Sequence, residues 1–166
     1  GGVVDATCWE VGKDGVDSSW GEGLAGGGVG RLVVVDQDGE QASNINRQAI
    51  AFRSTIGRKK VDVARAMVAD INPAAQVEAI DEFLLAENVP AFIAAHAGGV
   101  DYVVDAIDTI SAKLAIAQYA DERGLRLISS MGAANKLCPE CFRVADVYDT
   151  VNCPLCRSLR KEGRKR

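Results

Sequence analysis

At 166 residues the chain is long enough for one domain with a substantial core, and its 48% hydrophobic and 25% charged residues exclude an intrinsically disordered polymer. The net charge of −4 gives the chain as a whole no electrostatic case for nucleic acid. No apolar run approaches the roughly 20 residues of a membrane-spanning helix, and the opening GGVVDATCWE lacks the basic and apolar regions of a signal peptide. Five cysteines without such a signal suit a reducing compartment, so a cytoplasmic protein with no membrane contact is expected. The chain does not begin with Met and is read as a single domain over 1–166, truncated at both ends.

Residues 1–30 crowd eight glycines between Gly12 and Gly30 and are expected to be degenerate or poorly ordered. The opening strand is either Val3-Val4 or Cys8-Trp9-Glu10-Val11, and a first helix would run over 18–25. That helix is weak by propensity, because each interior glycine costs roughly 1 kcal/mol against alanine. Leu32-Val33-Val34-Val35, closed by Asp36, reads as a buried parallel strand. A polar loop to Asn46 follows, then a short helix over 47–52 and a longer one over 57–71, stopped by Asn72-Pro73. A strand is predicted at 76–80, and a helix at 86–97 with Pro90 in its first turn. Next come a buried strand at 102–108, a helix at 111–123 with Gly124 just past its end, and a strand at 125–129. After the small-residue turn Met131-Gly132-Ala133-Ala134, a strand is predicted at 142–147 and a helix at 153–163 entered through Pro154. This alternation predicts an α/β fold: a Rossmann-like, mostly parallel sheet flanked by helices.

In open α/β sheets ligands sit at the carboxyl ends of strands. Asp36 and Asp108 both fall there, and Asp36 is placed to accept hydrogen bonds from ribose hydroxyls. Arg47 could clamp phosphate oxygens. Lys60 opens a helix, where the dipole disfavours a cation unless it faces an anion. Two cations and a carboxylate suit a nucleoside triphosphate with Mg2+: Arg47 and Lys60 on the phosphates, Asp108 on the metal. A second constellation, Cys138-Pro-Glu-Cys141 with Cys153-Pro-Leu-Cys156, has the thiolate pairs of a small structural zinc knuckle near the C-terminus. The basic run of Arg157, Arg160, Lys161, Arg164, Lys165 and Arg166 is read as a solvated helix end in preference to a phosphate-backbone contact. His96 is assigned to the surface, and Trp9 and Trp20 to packing.

The stretch DQDGEQASNINRQ over 36–48, Gly57-x-x-Lys60 and Asp105-Ala106-Ile107-Asp108 resemble the ThiF/MoeB/HesA group of ubiquitin-activating-enzyme-like adenylyltransferases. Ser130-Met131-Gly132-Ala133-Ala134-Asn135-Lys136-Leu137, Val144-Ala145-Asp146-Val147-Tyr148 and Cys153-Pro154-Leu155 narrow the resemblance to the tRNA threonylcarbamoyladenosine dehydratase branch. The resemblance runs from about residue 15 to 166. It implies an enzyme that uses ATP to activate the threonyl carboxylate on a modified tRNA adenosine and closes it into a cyclic form. Carried over, Asp36 is the ribose carboxylate, Arg47 and Lys60 are the phosphate-contacting pair, Asn44 and Gln48 belong to the same ATP-contacting motif, and Asp108 is the Mg2+-associated aspartate. Arg47, Lys60 and Asp108 are thereby the catalytic candidates. Gly12 and Gly15 fall in the family's glycine-rich loop, two of whose glycine positions are taken here by Asp14 and Asp17. A carboxylate there repels phosphate and denies it close backbone approach.

The implied partners are tRNA carrying threonylcarbamoyladenosine, a second copy of the chain as a homodimer, and a sulfur-transfer protein. Two other readings stand beside this one. An adenylyltransferase for a ubiquitin-like sulfur carrier is opposed by the Ser-Met-Gly-Ala stretch, while a non-catalytic remnant or zinc-stabilised binding module is supported by the two loop aspartates. An NAD-binding domain fits less well, because no GxGxxG is present.

Overall fold

Five short runs form one parallel sheet in a computed structural model that describes residues 6–12, 15–96, 98–133 and 136–164. Val3-Val4, Asp14, Ala97, Ala134, Asn135, Lys165 and Arg166 lie outside the described residues. In chain order the elements are β1 (Thr7–Gly12), α1 (Gly15–Gly26), β2 (Arg31–Val35), α2 (Lys60–Ile71), β3 (Gln76–Ile80), α3 (Val89–His96), β4 (Tyr102–Ala106), α4 (Ile110–Arg123), β5 (Arg126–Ser129) and α5 (Pro154–Gly163). The sheet order is β3-β2-β1-β4-β5 and every pairing is parallel. Strand order therefore reverses at β1, and a crevice opens outside the carboxyl ends of β1 and β4, where such sheets bind ligands.

Alternation along each strand divides the apolar residues between two cores. Trp9, Val11, Val33, Val35 and Val103 face α3 and α4, joining Phe92, Ile93, Ala112, Ile116 and Tyr119. Cys8, Leu32 and Val34 face the other way and pack with Ala25, Val61, Ala64 and Val68 of α1 and α2. The Trp9 and Phe92 rings meet at 5.4 Å and 57°, the tilted contact that ring quadrupoles favour. With both faces covered, β2 and β4 read as continuous branched apolar runs, which is why the sequence announces them.

The opening stretch, expected to be degenerate or poorly ordered, carries β1 at the centre of the sheet and α1 against it in its described part. Packing offsets the low propensity of α1. A methyl at Gly21 would stand 3.2 Å from Glu10 Oε2 and 3.6 Å from Met67 Cε, so the absence of a side chain lets helix and sheet approach closely. Gly124 ends α4 at φ 64°, the left-handed cap its position predicts.

Two expected elements are absent. Residues 47–52 form turns, not a helix, and a 3-10 turn at Ala42–Asn44 precedes them. Thr55 Oγ1 accepts from the Phe52 N–H at 2.8 Å and donates toward the Ile50 carbonyl at 2.9 Å, which diverts the backbone from helical pairing. Residues 142–147 form no strand; Phe142 and Val144 are 55% and 89% exposed, with no strand beside them to complete a ladder. Among the described residues no helix is long and apolar enough to cross a membrane.

Gly21 and Gly23, the two glycines inside α1, separate propensity from packing. Gly23 has open space where a methyl would go. Gly23→Ala is expected to raise unfolding stability by about 0.5–1 kcal/mol in urea denaturation. Gly21→Ala is expected to gain less, or to lose stability, because its methyl meets the buried Glu10 carboxylate.

Candidate functional site

At the end of β2 the chain turns on itself. Asp36, 9% exposed, accepts the Asp38 N–H on Oδ1 at 2.7 Å and so closes a tight side-chain-to-backbone turn. The following residues are stitched to the approach to α2. Glu40 N–H donates to the Arg58 carbonyl at 2.8 Å, Gly57 N–H to the Glu40 carbonyl at 2.8 Å, and Lys60 N–H to the Asp38 carbonyl at 3.0 Å. Lys60, the first residue of α2, is consequently buried, with Nζ 3.9 Å from Asp36 Oδ2 and 3.8 Å from Asp38 Oδ2. The expectation that a cation opening a helix must face anions is met by these two carboxylates.

Two further motif residues are buried next to this turn. Asn44 is 7% exposed, and its Nδ2 donates to Glu40 Oε2 at 3.3 Å. Gln48 is 6% exposed, and neither its Nε2 nor Glu40 Oε1 has a hydrogen-bond partner among the described residues. Buried polar atoms are rarely left so, and the Gln48 amide, which lines a cavity, is placed to meet a polar group. A small cavity of about 30 Å³ has Gly12, Asp36, Gln48 and Lys60 in its wall together with Glu10 and Gly21, and the rest of its lining is apolar side chains of β2, α2 and Ile50. A second, of about 20 Å³, lies between the strand ends and is lined by Gly12, Asp36, Glu82, Phe83 and Ile107.

Gly12, Asp36, Gln48 and Lys60 are thus brought together around one space, with Asn44 buried behind. Arg47 lines neither cavity; it is exposed, and its guanidinium donates to the Ser43 carbonyl at 3.0 Å and Asn46 Oδ1 at 3.2 Å. Asp108 is exposed in the turn between β4 and α4, two residues beyond the end of β4. Gly15 starts α1, across the two residues that separate it from Gly12 at the end of β1.

A buried charge network that sequence reading missed sets the β4–α4 turn. Asp105 and Lys113 are 1% and 2% exposed, and Lys113 Nζ lies 2.9 Å from Asp105 Oδ2. The ammonium also donates to Ser129 Oγ at 3.1 Å and to the Ser130 carbonyl at 2.8 Å. Asp105 accepts the Ile107 N–H on Oδ1 at 3.0 Å and the Ser129 hydroxyl on Oδ2. Three donors on one side and three bonds on the other leave the pair fully satisfied, the condition under which a buried ion pair is tolerated. The network holds the ends of β4 and β5 to the first turn of α4, and Asp108 rides on the loop between them. A signal was present: Lys113 falls among Ala112, Ala115 and Ile116, on the apolar side of its helix, where a charge demands a partner.

The four-thiolate zinc knuckle is not what the structure builds. Among the described residues no three His, Cys, Asp or Glu side chains converge as metal ligands. Cys138 and Cys141 are joined as a disulfide. Cys153 caps α5, its Sγ accepting the Cys156 N–H at 3.4 Å, and Cys156 is 1% exposed. Burial pushes the Cys153 thiol up, but hydrogen bonds from Cys156 and from the backbone of Gly132 and Leu155 outweigh it and hold the thiol below its ordinary value. Each pair is committed locally, and the strand that would fold one pair onto the other is missing.

A doubly wound sheet of this order has its ligand crevice at the carboxyl edge, where this carboxylate–ammonium cluster lies. The ThiF family model matches residues 5–152, and the chain belongs to the ThiF family. It is 42% identical over 168 residues to the tRNA threonylcarbamoyladenosine dehydratase of Bacillus subtilis (strain 168), covering 99% of this chain and 65% of that one. The enzyme of the same name from Escherichia coli (strain K12) is 33% identical over 158 residues, covering 95% of this chain and 58% of its relative. The crystal structure of the E. coli tRNA N6-threonylcarbamoyladenosine dehydratase in complex with ATP superposes with a TM-score of 0.91 at 32% identity, over 96% of this chain and 65% of that one. The chain therefore spans roughly three fifths of the length of these relatives.

Lys113→Met is expected to destabilise the fold by about 3–5 kcal/mol in urea denaturation, because the Asp105 carboxylate is left buried and unpaired. The double variant Lys113→Met/Asp105→Asn should recover a substantial part of that loss, since no buried charge then remains.

Proposed function

We propose that this chain is the ATP-binding, adenylating part of a tRNA threonylcarbamoyladenosine dehydratase. The observation that carries the reading is the buried Lys60 ammonium, held between Asp36 and Asp38 beside a cavity that Gln48 and Gly12 also line. Support comes from the B. subtilis relative of that name at 42% identity, and from the fold match to an E. coli enzyme crystallised with ATP. The residues present fit a nucleoside triphosphate. The site combines a carboxylate for ribose hydroxyls, cations for phosphates, and a buried amide nitrogen on Gln48 without a partner among the described residues.

In this assignment Asp36 takes the ribose, Lys60 and Arg47 take the phosphates, and Asn44 and Gln48 fix their surroundings. Gly12 and Gly15 bracket the turn that approaches the phosphates, and Asp108 holds Mg2+. Bound Mg2+ supplies charge neutralisation on the phosphates. The chain's own part is to hold cations where negative charge develops as the substrate carboxylate is activated and pyrophosphate departs. A nucleophile within the modified adenosine then attacks the activated acyl carbon and displaces AMP, and the product is a cyclic form of the same tRNA base. A homodimer accompanies this reading, supported by Leu137 and Val144, which are 97% and 89% exposed. The sulfur-transfer partner rests on the family resemblance alone. Asp14 and Asp17 favour a second reading, a remnant with weakened phosphate binding.

The test is ATP-to-AMP turnover with threonylcarbamoylated and unmodified tRNA side by side. Turnover is expected with the modified tRNA alone; turnover that ignores the modification, or none with either tRNA, counts against the enzyme. Lys60→Ala is expected to weaken ATP binding about 10- to 100-fold, the scale of a lost hydrogen bond to a charged group. In the same titration Asp14→Gly/Asp17→Gly should tighten ATP binding, and no gain would remove the loop aspartates as the cause of any weakness.

A further inference from the structure

Helix α5 presents two unlike sides. Cys156 and Leu159 are buried, and a methyl at Gly163 would stand 3.7 Å from Leu114 Cδ2 of α4. Arg157, Lys161 and Arg164, spaced i, i+4 and i+7, are exposed along one stripe. None of the three holds the helix in place; Arg160 does that, donating to the Val147 carbonyl at 2.7 Å, the Thr150 carbonyl at 3.2 Å and Thr150 Oγ1. Arg157 and Lys161 make no ion pair among the described residues.

The helix dipole accounts for cations in the last turn of α5 but not for Arg157. That residue lies in the first turn, where the dipole disfavours positive charge. Residues 153–166 hold six basic side chains against the single Glu162, in a chain whose net charge is −4. Positive charge is therefore concentrated on this helix against the sign of the whole.

The stripe also starts in a telling place. A methyl at Gly132 would stand 3.8 Å from Leu155 Cβ, so the beginning of α5 lies against the segment that follows β5. That segment is tied through the Ser130 carbonyl to Lys113, and through Lys113 to Asp105 at the carboxyl edge of the sheet. From there a helix of this length extends about 15 Å, and neighbouring cations of the stripe are about 6 Å apart. Tyr148, 58% exposed, lies 6.0 Å below the Arg164 guanidinium.

We infer that the Arg157–Lys161–Arg164 stripe of α5 is the surface on which the tRNA phosphate backbone docks, leading the substrate to the carboxyl edge of the sheet. The inference rests on the proposed function for the identity of the RNA, and on the stripe for its location. Phosphate contacts of this kind position a nucleic acid without reading its sequence.

The experiment is filter binding of unmodified tRNA, which does not undergo the reaction, to the full chain across a range of salt concentrations. Arg157→Ala/Lys161→Ala is expected to lower tRNA affinity on the order of tenfold, and to reduce the slope of log affinity against log salt by about two. Its thermal unfolding and ATP affinity should match those of the parent chain. Unchanged tRNA affinity and slope overturn the proposal. So does a parent chain that binds vesicles of phosphatidylserine through these residues and does not bind tRNA. The proposed function fails separately: tRNA binding through the stripe without ATP turnover removes the enzyme reading and leaves the docking surface standing.

Discussion

The carboxyl edge of the sheet depends on how Lys60 is kept. A buried ammonium at the start of a helix is opposed twice, by desolvation and by the helix dipole. Asp36 and Asp38 offset both, with their Oδ2 atoms 3.9 and 3.8 Å from the ammonium. Holding it requires the backbone stitching of 38–40 to 57–60, which fixes α2 against the end of β2.

The Asp105–Lys113 pair does the complementary job on the other side of the strand reversal. Its bonds to Ser129 and Ser130 make the ends of β4 and β5 and the start of α4 a single unit. The turn that carries Asp108 is therefore built on a satisfied buried network. The other half of the edge places the Lys60 ammonium and the buried Gln48 amide in the wall of one cavity.

Much of this was legible in the sequence. Val33-Val34-Val35 and Val103-Val104 are buried on both faces, so their apolar runs stand out, with Asp36 directly after the first and Asp108 two residues beyond the end of β4. β1 was obscured because Glu10, a carboxylate 2% exposed, interrupts its apolar run, and α1 because glycine lowers propensity where close packing needs it. The helix expected at 47–52 failed because Thr55 and the preceding turns take up backbone groups locally, an effect a periodicity count does not register. Phe142, Val144 and Val147 spell a strand, but a strand requires a neighbour, and sequence pattern carries no information on which edge is available. The cysteine spacing suggested zinc for the same reason: it describes two local pairs and not whether the chain between them folds back.

The central claim, that this edge binds a nucleotide through its phosphates, is tested most directly by calorimetric titration of the full chain with ATP and with adenosine in the same Mg2+-containing buffer. The account predicts saturable ATP binding and adenosine binding weaker by about 100-fold or more, since the Lys60 and Arg47 contacts are lost with the phosphates. Equal affinity for the two, or no ATP binding at all, would contradict it.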